Sequence, residues 1–314
     1  MSAHDTSVGR WRIGFPGTEL RAPERGIAFD VSELGGPLAV GLHQAMSSPT
    51  LPRAPEVEIR LPAYRGKSLV RLLNWLVVHR LIEPGGKATF LLEKQQGPAS
   101  IATLLGDLGW RDVTRERSGR VHRVGGIPAD TAELPDPPAF RTRIGGNDLV
   151  FAADYGVFSP GHVDEGTRLL AEVALRQPPV ASVADIGVGY GPLAVALVRA
   201  GTAQRAVGAD IDCIALYLAE HNARVNGVPL STICTADPGE VEDTPLTVCN
   251  VPTHIDAEKT AALMAALVHR ARAGRKLLTV VHASLETRYR QHFANAGASV
   301  VAHHGTTHVV LETG

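Results

Sequence analysis

The chain has 314 residues, of which 44% are hydrophobic and 20% charged, with a formal net charge of −1 at pH 7. That length exceeds one average domain and the apolar content is enough for two packed cores, while the near-neutral charge removes any global basic field advertising a nucleic-acid partner. No stretch reaches the roughly 18 uninterrupted apolar residues of a membrane helix, and Met1–Arg10 lacks a basic segment followed by an apolar core, so a cytoplasmic protein is expected.

Residues 1–50 scatter apolar side chains among Gly and Pro and predict only short strands or irregular arms. Glu56–Leu61 (EVEIRL) alternates like a strand, Lys67–His79 has helical apolar spacing, and Ile82-Glu83-Pro84-Gly85-Gly86 ends that helix in a turn. Lys87–Glu93 is a strand, Ser100–Leu108 a helix and Gly119–Val124 a closing strand. The α/β alternation over 51–126 carries no glycine-rich nucleotide loop. Ile127–Phe140 holds four prolines and several acids, a composition that reads as a linker between a domain at 1–135 and one at 136–314.

Beyond the linker, Phe140–Ala153 predicts a hairpin around Gly145-Gly146-Asn147-Asp148. Strands at 181–186, 205–210, 230–235, 245–250 and 276–283 alternate with helices at 191–200, 213–225, 256–273 and 286–296, and a final pair at 298–303 and 306–312 closes a doubly wound sheet. Cys213, Cys234 and Cys249 are odd in number with no C-x-x-C spacing, which predicts reduced thiols and no zinc knuckle; no metal is required.

The sharpest local signal is Asp185-Ile186-Gly187-Val188-Gly189-Tyr190-Gly191, a strand running into D-x-G-x-G-x-G and then a helix. Glycines there let the backbone turn and approach a ligand at the free N–H groups of the helix start. The spacing differs from the dinucleotide G-x-G-x-x-G, which argues against a nicotinamide cofactor. Asp210 stands 19 residues after Gly191 at the end of the second strand, the place of a ribose ligand. Asp212 suits the N-cap of the helix starting at Cys213. Asp237, after the third strand, suits either an exocyclic adenine amine or a turn before Pro238. The fourth strand ends in Asn250-Val251-Pro252-Thr253-His254.

The order D-x-G-x-G-x-G, G-x-D-I, A-D, N-x-P resembles the class I S-adenosylmethionine-dependent methyltransferases. Phe158-Ser159-Pro160-Gly161 with Val163–Leu170, and Glu220–Val228, are similar to the ribosomal small-subunit methyltransferase C group, which modifies guanine N2. The resemblance covers 140–314 and, more weakly, 51–126. It implies tandem Rossmann-like domains: a C-terminal seven-stranded catalytic sheet, and a degenerate N-terminal copy that is structural or recognises substrate. It also implies S-adenosylmethionine contacts at Asp185, Gly187, Gly189, Gly191, Asp210, Ile211, Asp237 and Asn250, with Phe158 and Thr167 lining the pocket.

Where that group has N-P-P and an aromatic, this chain has Asn250-Val251-Pro252-Thr253. The resemblance implies that Asn250 and a carbonyl at Pro252 bind the target amine; Thr253 cannot stack on a base. His254 follows, suited to act as general base, and His282 is a second candidate of that kind. Three functions stay open. One is guanine-N2 methylation of ribosomal RNA, with Arg60, Arg65, Lys67 and Arg71 as a possible RNA face. The second is natural-product or other small-molecule alkylation, moving methyl or the 3-amino-3-carboxypropyl group to a hydroxyl or amine. The third is a non-catalytic relative that binds cofactor or RNA.

Overall fold

The computed structural model describes residues 8–314 apart from 64, 158, 160, 253–256 and 273 and the side chains of 257–259. The chain divides into two compact units, one holding the residues up to Pro137 with Asp154–Gly156, the other Pro138–Ala153 with Val157–Gly314.

In the first unit, strands β1 (Arg10–Ile13), β2 (Glu24–Ala28), β3 (Ala39–Gly41), β4 (Ala54–Arg60), β5 (Ile82–Leu92), β6 (Arg111–Ser118) and β7 (Val121–Ile127) form one sheet in the order β3-β2-β1-β4-β5-β7-β6. Pairing is parallel from β3 to β5 and antiparallel around β7. Helices α1 (Leu42–Ser47), α2 (Gly66–Leu76) and α3 (Pro98–Asp107) accompany it. Helix α2 buries Leu69, Leu72, Leu73 and Leu76, the 3.6-residue periodicity visible in the sequence, and Asn74 on it accepts the indole N–H of Trp110 at 2.7 Å.

Residues 82–86, expected as a turn that ends the helix, instead open strand β5, and two other parts of this sheet were only partly legible. Residues 1–50 supply three of its strands, of four, five and three residues, too short for a period-2 pattern to emerge. β6 (RDVTRERS) has almost every side chain exposed, being the sheet's outer edge, so it shows no alternation.

The second unit begins with a two-stranded ribbon, β8 (Ala139–Ile144) and β9 (Asn147–Ala152), turning at Gly145 and Gly146, both at positive φ. Its main sheet comprises β10 (Val180–Ile186), β11 (Ala203–Asp210), β12 (Leu230–Cys234), β13 (Leu246–Asn250), β14 (Lys276–His282), β15 (Val300–His304) and β16 (His308–Thr313) in the order β12-β11-β10-β13-β14-β16-β15. Only β16 runs opposite to the others, so its pairings with β14 and β15 are the antiparallel ones. The helices are α4 (Glu165–Ala174), α5 (Pro192–Arg199), α6 (Cys213–Val225), α7 (Ala257–Arg272) and α8 (Glu286–Asn295).

One face of this sheet presents Cys249, Val281, Val309 and Leu311 to Met264 and Leu267 of α7 and Tyr289 and Phe293 of α8. Strand alternation turns Asn250, Val280, His282 and His308 to the opposite face, where α4 lies against β13, β14 and β16. Both units are therefore Rossmann-like, with the same strand order. Among the described residues no helix is long and apolar enough to cross a membrane, and no group of three or more His, Cys, Asp or Glu could hold a metal ion.

Candidate functional site

The carboxyl edge of the second sheet begins at the glycine turn. Gly187, Gly189 and Gly191 all sit at positive φ, 76°, 56° and 88°, a region costly for side chains. The N–H groups of Gly187 and Val188 both donate to the Ala209 carbonyl, fixing the turn to β11. A Cβ on Gly187 would meet nothing nearer than 3.9 Å and one on Gly189 nothing within 4 Å. These two glycines border open space, as a ligand cradle requires. Gly191 serves another end: a Cβ there would lie 3.3 Å from Ala219 on α6, so its bareness lets α5 and α6 pack closely.

Asp185 is 2% exposed, and its Oδ2 accepts the N–H of Ala194 at 3.1 Å, tying the strand to the first turn of α5. Burial pushes its carboxyl up to about 7. Asp210, at the tip of β11, accepts from Gly189 N at 2.9 Å and Asp212 N at 3.0 Å. Burial pushes it up to about 6 despite those donors. Each carboxylate oxygen keeps a lone pair, since an ionised carboxylate can accept about four hydrogen bonds. Asp212 caps α6, accepting from Ile214 N at 2.8 Å and Ala215 N at 3.3 Å. The Ile211 carbonyl accepts from the Cys234 thiol at 3.5 Å. The three cysteines are reduced, with the sulfurs of Cys213 and Cys234 3.2 Å apart.

Asp237 is exposed and accepts from Gly239 N at 2.8 Å, capping the single turn Pro238–Glu240. It therefore has the turn-forming geometry, with its other oxygen, Oδ2, outside that bond.

Asn250 closes the other side of the edge. Its Nδ2 donates to Thr167 Oγ1 at 3.0 Å and to Asp164 Oδ1 at 3.2 Å. Thr167 Oγ1 in turn donates to Asp164 Oδ2 at 2.6 Å, and Asp164 caps α4 through Thr167 N at 3.0 Å. A carboxylate only accepts and the Thr hydroxyl proton is already committed to it, so the amide of Asn250 can take one orientation: both Nδ2 hydrogens face α4 and Oδ1 faces away. Pro252 is exposed beyond the strand. Phe158, Thr253 and His254 lie outside the described residues, so the expected pocket wall and the expected base are not located.

Three contributors escaped the sequence reading. Asp164 stood unremarked inside the Val163–Leu170 block, although Asp ahead of a helical stretch is a preferred N-cap. Asn222, fully buried, donates to the carbonyls of Ala152 at 2.9 Å and Tyr190 at 2.8 Å and accepts from Ala152 N at 2.7 Å, so one amide joins the ribbon, the glycine turn and α6. Tyr190 packs edge-on to Phe140 and Phe151 and donates its hydroxyl to the His162 carbonyl at 3.0 Å. Burial raises that hydroxyl above its ordinary pKa.

A parallel sheet with an antiparallel final hairpin, a glycine turn after its first strand and an acid ending its second defines a Rossmann-like fold of the class I methyltransferase type. The chain belongs to the methyltransferase small domain family, which matches residues 148–305. It is 34% identical over 177 residues to the ribosomal protein L11 methyltransferase of Syntrophotalea carbinolica, covering 54% of this chain and 53% of that one. It is 32% identical over 163 residues to the ribosomal RNA small subunit methyltransferase C of Chromohalobacter salexigens, covering 49% and 46%. The chain thus spans about half the length of these curated relatives. The T. thermophilus 16S rRNA N2 methyltransferase, solved in complex with AdoMet and guanosine, matches in fold with a TM-score of 0.70 at 20% identity, over 97% of this chain and 87% of that one.

Proposed function

We propose that the second unit binds S-adenosylmethionine and transfers its methyl group to an amine, the exocyclic N2 of guanine in ribosomal RNA. The observation that carries this reading is the fixed amide of Asn250. It leaves one hydrogen-bond acceptor, Oδ1, on the sheet edge that also carries the open turn at Gly187 and Gly189. An acceptor at that point takes an N–H and orients the amine's lone pair, which suits an amine with two hydrogens.

The residues present fit the cofactor. Gly187 and Gly189 leave room for its backbone-facing part, the spare lone pairs of Asp210 accept from ribose hydroxyls, Ile211 offers an apolar wall, and Asp237 can accept from the adenine amine. Asp185 and Gly191 support this cradle from behind, and Thr167 and Asp164 hold Asn250. When bound, the cofactor supplies an electrophilic carbon on a sulfonium. The chain's contribution is alignment of acceptor and carbon, which converts a bimolecular step into one within a complex. Pro252 continues the edge where the family-like motif places a carbonyl partner for the amine. The first unit is proposed as a structural or recognition domain.

The absence of an aromatic at Thr253 favours a second reading, alkylation of a small hydroxyl- or amine-bearing molecule with His254 as base, because a base acceptor loses its stacking partner there. Incubation with labelled S-adenosylmethionine and either deproteinised 16S ribosomal RNA or ribosomal proteins separates the readings. Recovery of N2-methylguanosine with S-adenosylhomocysteine is expected. Label in the protein fraction, or methylthioadenosine as by-product, overturns the guanine reading.

A further inference from the structure

Behind the strand ends that carry Asp210 and Asp237 lie two thiols that alkyl transfer does not use. Asp210 at the end of β11 and Cys234 at the end of β12 are register partners. Cys213 is the first residue of α6, directly after its cap Asp212. The two sulfurs are 3.2 Å apart, although 21 positions separate the residues along the chain. A disulfide bond is about 2.05 Å long, so the sulfurs have about 1 Å left to close.

The two differ in access. Cys213 is buried, whereas Cys234 is half-buried. An oxidant from solvent therefore meets Cys234 first, with Cys213 beside it as the resolving thiol. Cys249 is buried in the core of the same sheet, where burial pushes its thiol up, and serves as an internal control. The first sheet carries no such pair. Ala28 pairs with Gly41 as Asp210 pairs with Cys234, and Val31 follows the cap Asp30 as Cys213 follows Asp212. The fold itself therefore does not require thiols at these positions.

We infer that Cys213 and Cys234 are a dithiol that a peroxide closes to a disulfide, and that closure weakens S-adenosylmethionine binding. The Cys234 thiol gives up its proton and its sulfur attacks one oxygen of hydrogen peroxide. The O–O bond breaks, leaving a sulfenic acid on Cys234, and the departing hydroxide takes the proton as water. The Cys213 sulfur then attacks the sulfenic sulfur; the S–O bond breaks, and that hydroxide leaves with the Cys213 proton as a second water. Two thiols and one peroxide yield one disulfide and two waters, the sulfurs losing the two electrons that the peroxide gains.

Closure acts on the cofactor edge from behind. The Cys234 thiol donates to the Ile211 carbonyl at 3.5 Å, and Thr235 N donates to the Asp210 carbonyl at 3.1 Å. The first bond loses its proton in the disulfide. The pull between the sulfurs falls on the backbone that carries Asp210 and Ile211 on one side and Asp237 on the other. Only this consequence rests on the proposed placing of ribose and adenine at those two acids; formation of the bond does not.

The test treats the full chain with hydrogen peroxide and reads the product by peptide mass spectrometry. Expected is a peptide pair joined through Cys213 and Cys234 and separated by dithiothreitol, with Cys249 still a thiol. In calorimetry, the oxidised protein should bind S-adenosylmethionine roughly three- to tenfold more weakly, the scale of one disturbed neutral hydrogen bond, and reduction should restore it. Cys234→Ser should bind the cofactor as the reduced wild type does, with or without peroxide. In Cys213→Ser, dimedone should trap the sulfenic acid on Cys234 that the wild type resolves. Peroxide that leaves both thiols intact, or that carries Cys234 to the sulfinic acid without joining it to Cys213, overturns the pair. A disulfide with unchanged affinity overturns its coupling to the cofactor. Reduced protein that binds no cofactor overturns the proposed function and the coupling, while the bond is still judged by mass.

Discussion

The two sheets share one strand order and part company at the carboxyl edge, and the pairing registers make the residues there comparable one by one. Ile13 pairs with Ile27 and Ile59 as Ile186 pairs with Ala209 and Cys249. Arg12 thus corresponds to Asp185, Gly14 to Gly187, Ala28 to Asp210, Phe29 to Ile211, Arg60 to Asn250 and Pro62 to Pro252. Even the cap is repeated, since Asp30 accepts from Ser32 N at 2.9 Å as Asp212 does from Ile214 N. What the second sheet leaves open, the first fills. A Cβ on Gly14 would collide with the Arg60 carbonyl and lie 2.9 Å from the Phe29 ring. The buried ring of Phe15 is covered by the guanidinium groups of Arg12 and Arg60 at 3.8 and 4.2 Å. A shared fold therefore does not imply a shared site; side chains at a handful of strand ends decide it.

The comparison breaks most visibly if Asn250 is not the alignment group. Asn250→Ala should lower kcat about 100- to 1,000-fold with cofactor affinity nearly unchanged, the scale of losing one oriented polar group. Next, Asp210→Ala should weaken S-adenosylmethionine about 100-fold by calorimetry, because it removes the acceptor and loosens Gly189.

A matched glycine pair sharpens the contrast. Gly14→Ala should cost about 2 kcal/mol or more of stability in denaturant unfolding and leave cofactor affinity alone. Gly189→Ala should cost about 1 kcal/mol from its positive φ and weaken cofactor binding. Equal effects of the two on binding would erase the distinction between the sheets.

Asp185 has no acidic counterpart in the first sheet, and its pKa gives a pH test. The folded value, about 7, lies above the unfolded value of about 3.9, so its stabilising contribution is full below about pH 4 and is lost as pH rises towards 7. Asp185→Asn keeps an acceptor for Ala194 N. Its thermal midpoint should exceed that of the wild type at pH 8 and converge with it towards pH 4. A constant difference would show that burial of the charge is not what matters. Smallest is Asp237→Ala, a roughly threefold loss of cofactor affinity, as befits an exposed cap.

Much of the second sheet was legible because its strands are buried runs punctuated by glycine and acid, and the helices keep their periodicity. The glycine turn, Asp210 and the Asp212 cap could be placed from spacing alone. The division of labour among the glycines could not, because only packing shows that Gly191 faces Ala219 and Gly189 faces open space. Asp164 and Asn222 were invisible as site residues for a related reason: their partners lie 86 and 70 positions away along the chain. In the first sheet, short strands separated by Gly and Pro left residues 1–50 legible only as short strands or irregular arms, with no place in the sheet.

The strand that hid best was β6, whose charges at Arg111, Asp112, Arg115, Glu116 and Arg117 erase the alternation that reveals a strand. It is also a border with unpaired backbone groups, the kind of template on which chains polymerise. A neighbouring molecule seeking to extend the sheet there would have to stack charge on charge without water. The pattern that conceals the strand from a reader of sequence is the kind of charged edge that disfavours pairing with another copy.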